Sequence, residues 1–304
     1  MKNDVNIIEI WQVAWRKKWF IIAFTSIFAV LSVVIALSLP NIYRAHVTVG
    51  QSEESKSGGL SGLASQLGGL GSIAGLGGLS AQQTDKGAIA LEILSSRAFL
   101  SEFITKYDIL PEVMAAEEWS PISRKLSYDT DIYNPETGEW TRDVEPPKKP
   151  QPSMWEAVDE FRNNILVIEQ DKETGFATIV VFHPSPEIAS VWATRLLADL
   201  NKVMRLRDVT EAERSIAYLE ERMQETRLTS MQDVFAELIE QQMQTMMLAN
   251  VRDEYIFETL DPAVEPEKKA KPNRPLICVV ITLLGGIIAT LIVLFRHFYR
   301  ESSN

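Results

Sequence analysis

"EIASVWATRLLADLNKVMRLRDVTEAERSIAYLEERMQETRLTSMQDVFAELIEQQMQTMMLAN", residues 187–250, contains neither glycine nor proline, and that gap runs on to Leu260. Apolar residues recur through it three and four apart: Ile188, Val191, Trp192, Leu196, Leu200, Val203, Ile216, Leu219 and Met223. A second set follows with Met231, Val234, Phe235, Leu238, Ile239, Met243 and Met246. This spacing predicts helix. The stripe thins over Thr226–Ser230, where a break or reversal is expected. The first arm alone is about 40 residues, or roughly 60 Å of helix. Helices of that length belong to coiled coils, bundles or oligomers. A domain of this size would not bury such a stripe alone, so contacts with neighbouring copies are expected, with Leu200, Val203, Ile216 and Leu219 as candidates.

The entry to this helix is written plainly. Ser185 is placed as N-cap, Pro186 as the first helical residue and Glu187 in the first turn. Just upstream, "ILVIEQ" and "FATIVVF" flank "DKETG", which reads as a β-hairpin, and "WEAVDEFRNN" before it reads as a short helix. Residues 112–153 are rich in turn formers and proline and are expected to be an irregular excursion, with Pro111 stopping the helix before it. That helix, over "AIALEILSSRAFLSEFITKYDIL", has a possible break near Ser95–Ser96, and "YRAHVTV" alternates as a strand does. Downstream, "EYIFE" offers a closing strand, and "DPAVEPEKKAKPNRP" a stiff extended approach to the apolar run at the C-terminal end.

The two ends differ from everything between. Trp19–Leu39 and Leu276–Phe295 contain no charged residue, and each is long enough to cross the roughly 30 Å hydrocarbon core of a bilayer. A cleaved signal peptide is the alternative for the first, with "ALS" at Ala36–Ser38 as a small-x-small site. The apolar run exceeds the usual signal length, however, and an amphipathic tail with Ile7, Ile8, Trp11 and Trp15 precedes it, so a retained anchor is expected. Arg16, Lys17 and Lys18 predict a cytoplasmic N-terminus, and two spans return the C-terminus to the same side. The second span is less clear by this rule, since Lys268, Lys269, Lys271 and Arg274 precede it. The expected layout is a tail over 1–18, a span over 19–39, a periplasmic domain over 40–275, a span over 276–295 and a tail over 296–304. In the second span Gly285, Gly286, Ala289 and Thr290 form small-xxx-small pairs, suited to close approach by the first span or by a partner. The fold class expected is an α+β domain with a small mixed sheet near the membrane and a very long helix, between two transmembrane helices.

A net charge of -11 argues against nucleic acid, and the lone Cys278 lies in a span, so the domain is held without disulfides. The Gly/Leu-rich stretch over 58–80, "GGLSGLASQLGGLGSIAGLGGLS", looks superficially like a phosphate loop. No Gly-Lys pair exists in the chain, and "GLGSIA" lacks the strand that a dinucleotide fold requires. The stretch, with Leu67, Gly68, Gly69 and Leu70 at its centre, reads instead as a mildly apolar functional loop or as a linker. "DTD" at Asp129–Asp131 is read as turn chemistry rather than a metal pair. His46, His183 and His297 belong to no catalytic motif, and His183 reads as a helix-entry residue. The methionines in "QQMQTMMLAN" suit either helix packing or an adaptable binding surface. No catalytic, metal or cofactor constellation emerges, and no enzyme activity is expected.

With these residues in hand, the layout resembles the Wzz chain-length determinants, also called polysaccharide co-polymerases. "ILSSRAFL" is similar to the family's helix around a Ser-Arg pair. "FRNNILVIEQDKETGFATIVVFHPSPEIASVWA" resembles its hairpin and long-helix entry, and "DPAVEPEKKAKPNRPLI" resembles its proline-rich approach to the second span. The resemblance implies a non-catalytic inner-membrane regulator that sets the length of a lipid-linked polysaccharide made by a separate polymerase. It implies a homo-oligomeric ring of about eight copies. Some relatives carry a kinase domain after the second span; with only a few residues after Arg296, none is expected here. The excursion over 111–152 departs from a minimal family pattern. Two other readings stand beside this one: a two-span periplasmic sensor and an envelope adaptor.

Overall fold

The computed structural model describes residues 15–52, 86–171, 173–226 and 228–302. Residues 1–14 of the expected tail over 1–18 and the Gly/Leu-rich stretch with Leu67, Gly68, Gly69 and Leu70 lie outside the described residues. The chain divides into two units, Tyr43–Lys268 and a second made of Met1–Ile42 with Lys269–Asn304.

In the larger unit, β1 (Ile42–Gln51) buries Ala45, Val47 and Val49, the period of two that a strand imposes. A helix pair comes next, α2 (Lys86–Leu94) and α3 (Arg97–Tyr107), numbered after the apolar helix α1 (Lys18–Ser38). The break between them falls at Ser95–Ser96, where the Ser96 hydroxyl accepts the Phe99 N–H and caps α3. The helix α3 stops four residues earlier than Pro111. Asp108 adopts the left-handed conformation (φ 50°) and closes it, while Pro111 sits in the first turn of a new helix, α4 (Leu110–Met114). Proline marks a start here, not a stop.

The excursion is also more ordered than its composition suggests. It folds as two small hairpins, β2 (Ala116–Ser120) with β3 (Lys125–Tyr128), and β4 (Tyr133–Asn134) with β5 (Glu139–Trp140). Their core is aromatic. Tyr128 and Tyr133 meet edge to face at 5.7 Å, Tyr133 and Trp140 at 4.9 Å, and Trp119 packs on Tyr43 at 5.8 Å. The proline-rich tail is clamped by Arg142, which donates to the carbonyls of Pro150 (3.1 Å) and Lys149 (2.9 Å) and to Glu156 Oε2 (2.7 Å).

Helix α5 (Met154–Glu160) opens with a capping box between Ser153 and Glu156 and runs through a π turn over Phe161–Ile165. The expected hairpin is β6 (Leu166–Gln170) with β7 (Ala177–His183). Its turn is made by Asp171, whose carboxylate accepts the Glu173 N–H, and by Gly175 at φ 74°. The sheet runs β6-β7-β1-β8, antiparallel at each of these junctions, with β8 at Phe257–Asp261. Central β7 is buried at Ile179, Val180 and Val181. One face of the core is closed by α6 (Pro186–Glu225) through Ala189, Trp192, Ala193, Leu196 and Leu200, with Phe161 stacked on Trp192 at 5.5 Å.

The smaller unit is a pair of apolar helices, α1 (Lys18–Ser38) and α8 (Arg274–Ser302), the latter preceded by the short strand β9 (Lys269–Lys271).

Candidate functional site

Three features are candidates for function: the helical hairpin, the tethering of Ser52 and Lys86 on either side of residues 53–85, and the pair of apolar helices. The hairpin comes directly from the sequence that lacks helix breakers. The helix α6 runs 40 residues from its Ser185 cap, which accepts the Ile188 N–H, and α7 (Thr229–Val251) returns after a short connection. The two arms are antiparallel. At the turn the Gln232 side chain donates to the Thr226 carbonyl (2.9 Å), and at the base Arg205 reaches the Arg252 carbonyl (3.3 Å) and Asp253.

The stripe read from the sequence is used inside the chain. Leu200 is fully buried in the domain core and Val203 packs against that core. Ile216 and Leu219 are partly buried, on the side of the helix that also carries buried Ala212. The face left open is the opposite one. Leu206 (54% exposed) and Tyr218 (56%) line a groove on α6 with Arg207, Thr210 and Arg214, while Met243, Met247 (60%) and Val251 (77%) lie bare on α7. Both arms thus carry exposed apolar side chains.

One polar residue, Asn201, fixes the base of the arm, and the sequence pattern did not single it out. Buried to 3% exposure, it accepts the N–H groups of Ile256 and Phe257 and donates to the Phe257 carbonyl, each at 3.0 Å. Close by, both flanks of the 53–85 segment are tied to the same place. Ser52 Oγ donates to the Tyr255 carbonyl (2.8 Å). Lys86 pairs with Asp208 (2.6 Å), which also accepts the Tyr255 hydroxyl (2.7 Å). Ser52 and Lys86, the described residues on either side of the Gly/Leu-rich stretch, thus both sit at the foot of the hairpin.

The small residues of the second span are spent on the first. A Cβ on Gly285 would fall 2.6 Å from Phe28 Cβ and Cγ, and one on Gly286 would lie 3.6 Å from Thr25 Oγ1. Ala289 is buried, Thr290 returns its hydroxyl to the Gly286 carbonyl, and Cys278 lies 3.8 Å from the Ser32 carbonyl. The rest of both helices is bare: only 11% of the first apolar stretch and 17% of the second is buried. A core helix of a soluble protein would be mostly covered. Hydrocarbon is the environment that fits.

Elsewhere the ionisable groups serve structure. His183 is buried against Trp192, accepts the Ser185 N–H on Nδ1 (3.0 Å) and places Nε2 3.3 Å from the Glu112 carbonyl. Burial pushes it down to about 4. Glu156 is held near 2, chiefly by Arg142. Burial and the neighbouring Glu112 carboxylate push Tyr128 up to about 12. Asp129 accepts the Asp131 N–H (2.9 Å), which is turn chemistry. Among the described residues, no three or more His, Cys, Asp or Glu side chains group as metal ligands.

Two apolar helices fitting a two-pass inner-membrane protein, with a large α+β domain between them and a long helical hairpin on that domain, define the class. Residues 3–107 match the family model Wzz, "Chain length determinant protein", and residues 222–298 match GNVR, "G-rich domain on putative tyrosine kinase". The chain thus carries a Wzz chain length determinant domain near one end and a GNVR domain near the other. Among solved structures it is similar to a full-length bacterial polysaccharide co-polymerase at 13% identity and a TM-score of 0.39, over 97% of this chain and 99% of that one. It is also similar to a fragment of WzzB, a polysaccharide co-polymerase from Salmonella Typhimurium, at 12% identity and a TM-score of 0.33, over 76% of this chain and 100% of that one. No curated protein matches the sequence.

Proposed function

We propose that this protein sets the length distribution of a surface polysaccharide of the O-antigen type, as a non-catalytic inner-membrane oligomer that works with a separate polymerase on a lipid-linked glycan. The observation that carries this reading is the Wzz match over residues 3–107 on a chain with two spanning helices. Arg16, Lys17 and Lys18 at the first span support cytoplasmic termini and a periplasmic domain. The bare apolar face of the hairpin supports self-association: Leu206 and Tyr218 on one arm, with Met243 and Met247 on the other, would be covered by neighbouring copies in a closed ring. Ser52 and Lys86, which flank residues 53–85, are both tied to the foot of that hairpin, which supports a role in length control for the Gly/Leu-rich stretch between them.

Deleting the gene and running the surface polysaccharide on a gel tests the reading. One favoured length should give way to a broad, unregulated ladder; an unaltered ladder overturns it.

A further inference from the structure

The proposed function gives no role to the basic cluster before the second span, and under the proposed orientation it lies on the side where lysine and arginine are disfavoured. Its geometry is unusual. Lys269 Nζ and an Arg274 guanidinium nitrogen share one acceptor, the amide oxygen of Asn41, at 3.2 and 3.1 Å. Arg274 makes one further bond, to the Leu39 carbonyl at 3.3 Å, and its Nε is buried with no hydrogen-bond partner among the described residues. Among the described residues no carboxylate pairs with either cation.

Two cations held against one neutral oxygen repel each other, and a buried N–H without an acceptor is unfavourable. An anion set between them would relieve both. The position selects the anion. Helix α1 ends at Ser38 and α8 begins at Arg274, so Asn41, Lys269 and Arg274 lie at one end of the apolar pair, at the level of lipid headgroups. Guanidinium and ammonium together suit phosphate oxygens, and basic pockets between spanning helices hold phosphorylated headgroups.

We propose that Lys269, Arg274 and Asn41 form a binding site for a phosphate or pyrophosphate group at the membrane surface. It rests on the reading of α1 and α8 as membrane spans. The group would come from a lipid headgroup, including the carrier of a lipid-linked glycan, or from free phosphate in solution.

The test uses the full chain in phosphatidylcholine nanodiscs, titrated with farnesyl pyrophosphate, with phosphatidylglycerol supplied in the disc, and with inorganic pyrophosphate. Wild type should bind at least one of these at least about tenfold more tightly than the Lys269→Gln/Arg274→Gln variant, a difference of about 1.4 kcal/mol. Lys148→Gln, an exposed lysine of the excursion, should leave binding unchanged. Asn41→Asp supplies an internal carboxylate to both cations and should weaken binding while the fold is kept, which separates loss of the site from loss of structure. Tighter binding of either lipid than of inorganic pyrophosphate assigns a lipid source, and the reverse order assigns a free anion. Equal affinity of wild type, the double variant and Asn41→Asp for every probe overturns the site. Extraction of the protein from membranes by alkaline carbonate overturns instead the reading beneath it.

Discussion

At the scale of single residues, His183 links the fold to pH. Its folded value of about 4 lies below the ordinary 6.5, because the ring is buried. Between those values the unfolded chain takes up a proton that the folded chain refuses, so stability falls as pH falls from 6.5 toward 4 and is flat in this respect above 6.5. The full effect is about 3 kcal/mol, and His183→Gln should flatten that window in denaturant titrations at stepped pH. Glu156 acts lower on the scale. Held near 2 by Arg142, it contributes stability above its ordinary value that is lost as pH drops through 4.5 toward 2. Arg142→Ala should cost on the order of 2 kcal/mol and loosen the clamp on the Lys149 and Pro150 carbonyls, read as faster proteolysis within 143–152. Asn201 is the more sensitive position. Asn201→Leu strands two buried N–H groups and a carbonyl and should destabilise the chain by about 3 kcal/mol or more, measured by thermal unfolding in detergent.

At the scale of elements, the paired membrane helices give a contrast between adjacent glycines. Gly285→Ala places a methyl 2.6 Å from Phe28 and must push the helices apart, whereas Gly286→Ala meets Thr25 at ordinary contact distance. Thermal unfolding in detergent should show the first clearly destabilised and the second unchanged or slightly stabilised. Elements were legible from sequence where their cause is local. The Ser185 cap with Pro186, the Asp171–Gly175 turn and the break at Ser95–Ser96 each arise from a few neighbouring residues. The hairpins β2–β3 and β4–β5 were not legible, because strands of two to five residues carry little periodicity and their core is a ring cluster assembled across the excursion. Pro111 misled for a related reason: proline is tolerated in a first helical turn, and left-handed Asp108 had already ended the helix before it.

At the scale of the whole molecule, the apolar residues left exposed on the hairpin differ from those the periodicity singled out. A stripe on a long helix does not say what covers it. Here the core takes Leu200, and the return arm packs along the upper half, so the exposed residues fall on the other side. In mass photometry of the solubilised protein, Leu206→Asp with Met247→Asp should give smaller assemblies with unchanged circular dichroism, while Leu200→Asp should lose the fold. Deleting Gly58–Ser80 should shift or abolish the favoured polysaccharide length on gels without releasing the protein from membranes. The bond from Arg274 to the Leu39 carbonyl has a further consequence. The chain departs from its first span and arrives at its second within the reach of one side chain, so everything between them is an insertion with closed ends. Such a cassette is exchangeable: grafting the segment between these points from one Wzz protein into another moves the whole intervening domain across a junction one residue wide, and under the proposed function the chimaera reports which half of the protein dictates polysaccharide length.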